Sequence, residues 1–217
     1  MIDILFVNPN SSKKTYQGLS NKLSAIETPT WSLLLAESCR SKGAKVFILD
    51  CLAENLSDEL SFNKILKLKP KLICFVVYGQ NVNSGTTNME GAVQLSNFLK
   101  SKKIDIPISF IGSYVQALPK KTLNEEKSID FVFMNEGVYS LHEIIKLKKF
   151  DEYNLKKVPG IFFRNNKNQI EFTKPVDVVP TERMDIDLPG YAWDLLPYKE
   201  EPLDLYRSPL WLAEYSE

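Results

Sequence analysis

Apolar residues fall in short runs separated by polar stretches with helical spacing, and this alternation repeats five times before residue 150. Ile2–Val7 is the first run, ended by Asn8-Pro9-Asn10-Ser11-Ser12, where proline cannot extend a strand ladder and Asn and Ser favour turns. Residues 13–27 read as a polar loop. Pro29-Thr30-Trp31 opens a helix with Thr30 as N-cap, Leu33, Leu34 and Cys39 on its apolar face and Gly43 as its stop. Lys45–Leu49 is the second strand, closed by Asp50. Ser61–Leu68 is a short amphipathic helix with Phe62, Ile65 and Leu66 inward, ended by Pro70. Leu72–Val77 (LICFVV) is continuously apolar, β-branched and aromatic, and too short for a typical helix. It predicts a central strand buried on both faces. It empties through Tyr78 and Gly79 into Gln80-Asn81-Val82-Asn83-Ser84-Gly85-Thr86-Thr87, read as a loop. Thr87–Ser101 follows as a helix with Met89, Val93, Leu95 and Leu99 inward. Ile106–Ile111 is the fourth strand, ending at Gly112-Ser113-Tyr114, and Pro119–Leu123 is helical. Ile129–Met134 is the fifth strand, ending at Asn135-Glu136-Gly137, with a helix over Val138–Leu147.

Strands alternating with helices specify an α/β fold with parallel strands and right-handed crossovers. Five such units predict a flavodoxin-like (Rossmann-like), doubly wound, five-stranded parallel sheet of order 2-1-3-4-5. Its switch point lies between the first and third strands. The loops Asn8–Ser12 and Gly79–Thr87 then flank one crevice, and those at Gly112 and Asn135 line the same edge. After Lys148 the pattern changes. Gly160–Arg164 and Gln169–Thr173, joined by Asn165-Asn166-Lys167-Asn168, read as a β-hairpin. Glu182–Glu217 holds nine acidic residues against three basic, four prolines and six Tyr or Trp. With no helical or strand period, it reads as an extended linker lying on another domain. The expected organisation is an α/β domain over 1–150, a hairpin extension over 151–181 and a linker over 182–217.

Composition narrows the chemistry. Formal net charge is zero over 217 residues, so nothing argues for nucleic acid or an anionic membrane as partner. No apolar run approaches a membrane span, and the N-terminus carries no basic leader, so the cytoplasm is the expected compartment. Cys39, Cys51 and Cys74 are widely spaced and form no metal-ligand pattern with the single histidine, His142. They read as buried reduced thiols.

The loop ends, taken together, resemble the N-terminal cobalamin-binding domain of cobalamin-dependent radical SAM enzymes. The resemblance is carried in order by Asn8-Pro9-Asn10, Pro29, Ala36 with Gly43-Ala44-Lys45-Val46, Asp50, Gln80-Asn81-x-x-Ser84 and Gly112-Ser113. Asp130-Phe131-Val132 leading into Asn135-Glu136-Gly137, Pro159-Gly160-Ile161, Ile186-Asp187-Leu188-Pro189 and Tyr191-Ala192-Trp193-Asp194-Leu195-Leu196-Pro197 continue it. Gly112-Ser113 stands where the family usually has Gly-Gly, and Asn135-Glu136-Gly137 where it has Gly-Glu-Gly. The family's three-cysteine cluster motif is absent. The resemblance therefore implies an N-terminal piece. The four-iron–four-sulfur cluster and the S-adenosylmethionine (SAM) site would belong to a radical SAM domain of the same polypeptide. There a 5′-deoxyadenosyl radical would activate a carbon and methylcobalamin would supply a methyl group. The chain alone carries no catalytic residue and no metal ligand.

A domain can bind cobalamin through a histidine that replaces the cofactor's lower base, which needs Asp-x-His-x-x-Gly after the first strand. Asn8–Ser12 has no histidine, so the expectation is base-off, His-off binding. The expected cofactor-binding residues are Asn8, Pro9, Asn10 and Ser11; Asp50; Gly79, Gln80, Asn81, Asn83 and Ser84; Gly112, Ser113 and Tyr114; and Asn135, Glu136 and Gly137. Neutral amides and hydroxyls suit corrin amides, and glycines allow close backbone approach. Several have a plainer alternative: Asp50 as a turn residue, Glu136-Gly137 as a helix cap, and, beside them, Trp31 as core rather than cofactor wall. Two other functions compete. One is a flavodoxin-like flavin or nucleotide binder, using the hydroxyl-rich Asn10–Thr15, which lacks the glycine a phosphate loop needs. The other is a non-enzymatic cobalamin sensor or interaction module.

Overall fold

The computed structural model describes residues 2–11, 26–78 and 82–206, the side chains of 82–87 excepted. Residues 13–25 of the loop expected over 13–27, Gly79-Gln80-Asn81 and the end of the tail lie outside the described residues. The strands are β1 (Ile2–Asn8), β2 (Val46–Asp50), β3 (Pro70–Val76), β4 (Ile108–Ile111), β5 (Phe131–Phe133), β6 (Ile161–Arg164) and β7 (Ile170–Phe172). They form one seven-stranded sheet of order β2-β1-β3-β4-β5-β6-β7. The pairs from β2 to β5 are parallel, and β5–β6 and β6–β7 are antiparallel. The sheet is thus larger than the expected five strands. The hairpin is no separate appendage: β6 pairs with β5 through Phe131–Phe163 and Phe133–Ile161 and continues the sheet.

The helices are α1 (Thr30–Ser41), α2 (Asp58–Leu68), α3 (Val82–Ser101), α4 (Ser113–Ala117), α5 (Pro119–Glu125), α6 (Val138–Ile144), α7 (Glu152–Leu155) and α8 (Met184–Asp187). Side chains of β3 alternate between two cores. Leu72, Cys74 and Val76 join Leu33, Leu35 and Ala36 of α1 and Val138, Leu141 and Ile144 of α6. Ile73, Phe75 and Val77 join Ile65, Met89, Ala92, Leu95 and Leu99 of α2 and α3. Leu72–Val77 is fully buried, as its unbroken apolar run requires of a strand covered on both faces.

Local expectations needed four corrections. Pro29, not Thr30, is the N-cap of α1, and Thr30 already has helical geometry. Leu66 points to solvent, because α2 buries only a narrow stripe centred on Ser61 and Ile65. The polar stretch after β3 is not a loop to Thr87, since α3 starts at Val82. Small polar residues are poor in helix interiors but well tolerated in a first turn, where backbone donors are open. The short helix α4, directly after Gly112, was not expected.

The tail also contributes to the core. Ala192 and Leu196 are buried in the α1/α6 core, and the Ala192 amide donates to the Leu33 carbonyl at 3.3 Å. Arg40 grips the Asp194 carboxylate with two bonds of 2.7 and 2.9 Å. The strongest anchor is Asp187, whose carboxylate accepts from Arg183 Nε at 2.7 Å, Lys42 Nζ at 3.0 Å and the Tyr139 hydroxyl at 3.0 Å. The Arg183 guanidinium, helped by Lys42 and Tyr139, holds this carboxyl well below the usual carboxylate range despite the opposing effect of burial.

A depressed carboxylate stabilises the fold above its unfolded value, and that stabilisation is lost as pH falls through the folded value. Denaturant midpoints measured at pH 7 and at pH 3 test this. The native protein should lose more stability over that step than Asp187→Asn, which should be weaker at pH 7 and flatter with pH. Equal pH dependence would contradict the anchor.

Candidate functional site

The C-terminal ends of β1, β3, β4 and β5 point to one edge of the sheet, as parallel strands must. At this edge Asn8 sits opposite Asp50 in the β1–β2 register. Asp50 is fully buried and its carboxylate collects four donors. Oδ1 accepts from Asn8 Nδ2 at 2.8 Å, from the Ala53 amide at 3.0 Å and from the Leu52 amide at 3.2 Å. Oδ2 accepts from the Tyr206 hydroxyl at 2.9 Å. Burial pushes the Asp50 carboxyl up, and these four donors act against that push. Asp50 and the Asn8 side-chain nitrogen therefore fix the strand ends.

Beyond Asn8, the chain through Pro9, Asn10 and Ser11 rests on α3. Ser11 Oγ donates to the Asn88 carbonyl at 3.4 Å, and Asn88 Nδ2 donates to the Tyr78 carbonyl at 2.8 Å. The contact is made at Gly91. A Cβ there would stand 2.5 Å from Ser11 Oγ and 2.8 Å from the Asn10 carbonyl oxygen. A lone glycine inside a helical pattern is the signal that could have identified this contact from sequence.

Tyr78, just past β3, stacks on Trp31 of α1 with ring centroids 4.5 Å apart and planes 21° apart. Gln116 Nε2 donates to the Tyr78 hydroxyl, and burial raises that hydroxyl's pKa. The pair forms an aromatic wall beside the switch point, and both rings also pack against the α1/α6 core. Tyr78 and Gln116 were not expected as site residues, since neither follows a sequence pattern of its own.

The remaining expected residues divide. Gly112 is dictated by packing: a Cβ there would lie 2.4 Å from the Val77 carbonyl oxygen. It delivers Ser113 and Tyr114 into the first turn of α4, both half-buried at this edge. Asn135 and Glu136 are held by the segment after β7, and Glu136 stays near enough to Tyr78 for its charge to act on that hydroxyl. Asn135 donates to the Val176 carbonyl at 2.6 Å, and Glu136 accepts from the Val179 amide. Of the Glu136-Gly137 pair, Gly137 is the N-cap of α6, at φ +74°. Asn83 and Ser84 fall in the first turn of α3, with side chains outside the described residues. Gly79, Gln80 and Asn81 are outside them altogether.

His142 lies elsewhere. It is buried on α6, its Nε2 is 2.8 Å from Ser38 Oγ of α1, and burial lowers its pKa. It lines a cavity of about 550 Å³ together with Asp3, Lys42, Gly43, Tyr139, Glu143 and Asp187. The charges there pair with one another or with neighbours: Lys42 and Arg183 with Asp187, Lys146 with Glu143, Asp3 with Lys71. All three cysteines are buried and free, and burial pushes the Cys51 and Cys74 thiols up to about 12. Among the described residues no group of His, Cys, Asp or Glu is placed to hold a metal ion, and no helix is long and apolar enough to cross a membrane.

No family model and no curated protein matches the chain. Solved structures do. The cobalamin-dependent SAM radical enzyme OxsB, solved with aqua-cobalamin and SAM bound, superposes with a TM-score of 0.64 at 16% identity. The match covers 90% of this chain and 24% of OxsB. The radical SAM methyltransferase TsrM from Kitasatospora setae, solved with tryptophan substrate and the SAM analogue aza-SAM, gives a TM-score of 0.58 at 15% identity. That match covers 81% of this chain and 30% of TsrM. The chain thus spans about a quarter of the length of OxsB and shares its fold over that part.

If the β1 loop is seated by contact at Gly91, then Gly91→Ala should destabilise the protein by about 1–3 kcal/mol in chemical denaturation, as overpacking does. The sign is decisive, because alanine is otherwise the better helix former by about 1 kcal/mol. A stabilised variant would show that the loop does not sit there.

Proposed function

We propose that this chain is the cobalamin-binding domain of a radical SAM enzyme of the methyltransferase class, and that it holds cobalamin base-off with no histidine on the cobalt. What supports this most is the fold shared with cobalamin-bound OxsB over 90% of the chain, combined with a β1 loop that carries no histidine. The sole histidine is buried against Ser38 and lines a cavity with Asp3 and Gly43, away from the edge where Asn8 and Tyr78 lie.

The described residues fit a large neutral ring at that edge. Trp31 and Tyr78 supply an apolar wall for one side of the group. Asn10, Ser11, Ser113 and Tyr114 supply neutral polar atoms and backbone near it, and Gly112 and Gly137 set the loop paths. Gly79, Gln80, Asn81, Asn83 and Ser84 belong to the same proposed site from their place between β3 and the body of α3. Asn8, Asp50, Asn135 and Glu136 brace the loops around it. When bound, cobalamin supplies the methyl-carrying centre. This chain's part is to seat the ring and to leave one axial face free of a protein nitrogen. The iron–sulfur cluster, SAM and the substrate belong to a radical SAM domain of the same polypeptide.

Purified protein mixed with hydroxocobalamin and passed through a desalting column should retain the corrin near one equivalent. His142→Ala should retain the same amount. A colourless protein fraction would overturn the proposal, and loss of corrin in the His142 variant would overturn its His-off part.

A further inference from the structure

The bond from Tyr206 to Asp50 joins the tail to the candidate site. Asp50 has two oxygens with separate duties. Oδ1 holds Asn8 and the turn at Leu52 and Ala53, while Oδ2 faces Tyr206 across 156 residues of sequence. Tyr206 is partly buried and packs against the same core as Trp31 and Tyr78. The tail reaches this point along α1, tied successively at Asp187, Ala192 and Asp194. From Asp50 the contacts run on without a gap: Asn8, the Asn10–Ser11 segment, Asn88 and Gly91 of α3, then the Tyr78 carbonyl.

We infer that Tyr206 is a positioning residue that couples docking of the tail to cofactor binding at the β1–β3 crevice. This rests on the cobalamin reading above. A buried carboxylate oxygen that loses its donor must rehydrate or take up a proton, and either change loosens the grip on Asn8 and the loop beyond it. Coupling between two sites is reciprocal, so cofactor that favours the ordered loop must also favour the docked tail. Residues 198–206 are mostly exposed, so this segment is where the coupling is readable.

Hydrogen exchange of residues 198–206 and affinity for hydroxocobalamin, both measured on the native protein and on Tyr206→Phe, test the inference. In the native protein, hydroxocobalamin should slow exchange in this segment. Tyr206→Phe should bind about tenfold more weakly and lose that protection. A role confined to stability would lower the melting temperature of the variant while leaving affinity and protection unchanged, and that result overturns the inference alone. If the native protein binds no hydroxocobalamin, the functional reading falls and the inference falls with it.

Discussion

The site depends on one buried carboxylate. Taking Asp50 out of water is costly unless its lone pairs are filled, and four donors converge to fill them. Those donors come from the end of β1, the turn after β2 and the C-terminal tail. Satisfying one side chain therefore fixes three separate pieces of chain at the edge where the parallel strands open. The Trp31–Tyr78 stack and the close approach at Gly91 then set the positions of α1 and α3 around the same edge.

This arrangement changes what the polar residues at the edge do. Asn8, Asp50, Asn135 and Glu136 all resemble ligand-facing groups when read along the chain. In the fold each has at least one protein partner from a distant segment. Their contribution is to hold loops that would otherwise be free. In the proposed site the contact surface is the aromatic pair with the Asn10–Ser11 and Ser113–Tyr114 segments.

Much of this was legible in the sequence, because burial on both faces leaves a plain mark. LICFVV could only be a central strand, and the apolar runs before and after it locate β1, β2, β4 and β5. The parts that were not legible depend on contacts distant in sequence. No local pattern says that Phe131 and Phe133 continue the sheet through Phe163 and Ile161, or that a Pro-rich acidic tail returns to bury Ala192 and Leu196. The start of α3 at Val82 was missed because Asn, Ser, Gly and Thr suit a loop and a first helical turn equally. Tyr206 carried no signal, since one of several tail aromatics among prolines and acids fits any linker.

The proposed site seats cobalamin while leaving the cobalt without an axial nitrogen from either the protein or the cofactor's own base. Electron paramagnetic resonance of the protein loaded with cob(II)alamin measures this directly. Base-off, His-off binding gives a cobalt hyperfine pattern with no nitrogen splitting on its lines. Triplet splitting from one coordinated nitrogen would contradict it.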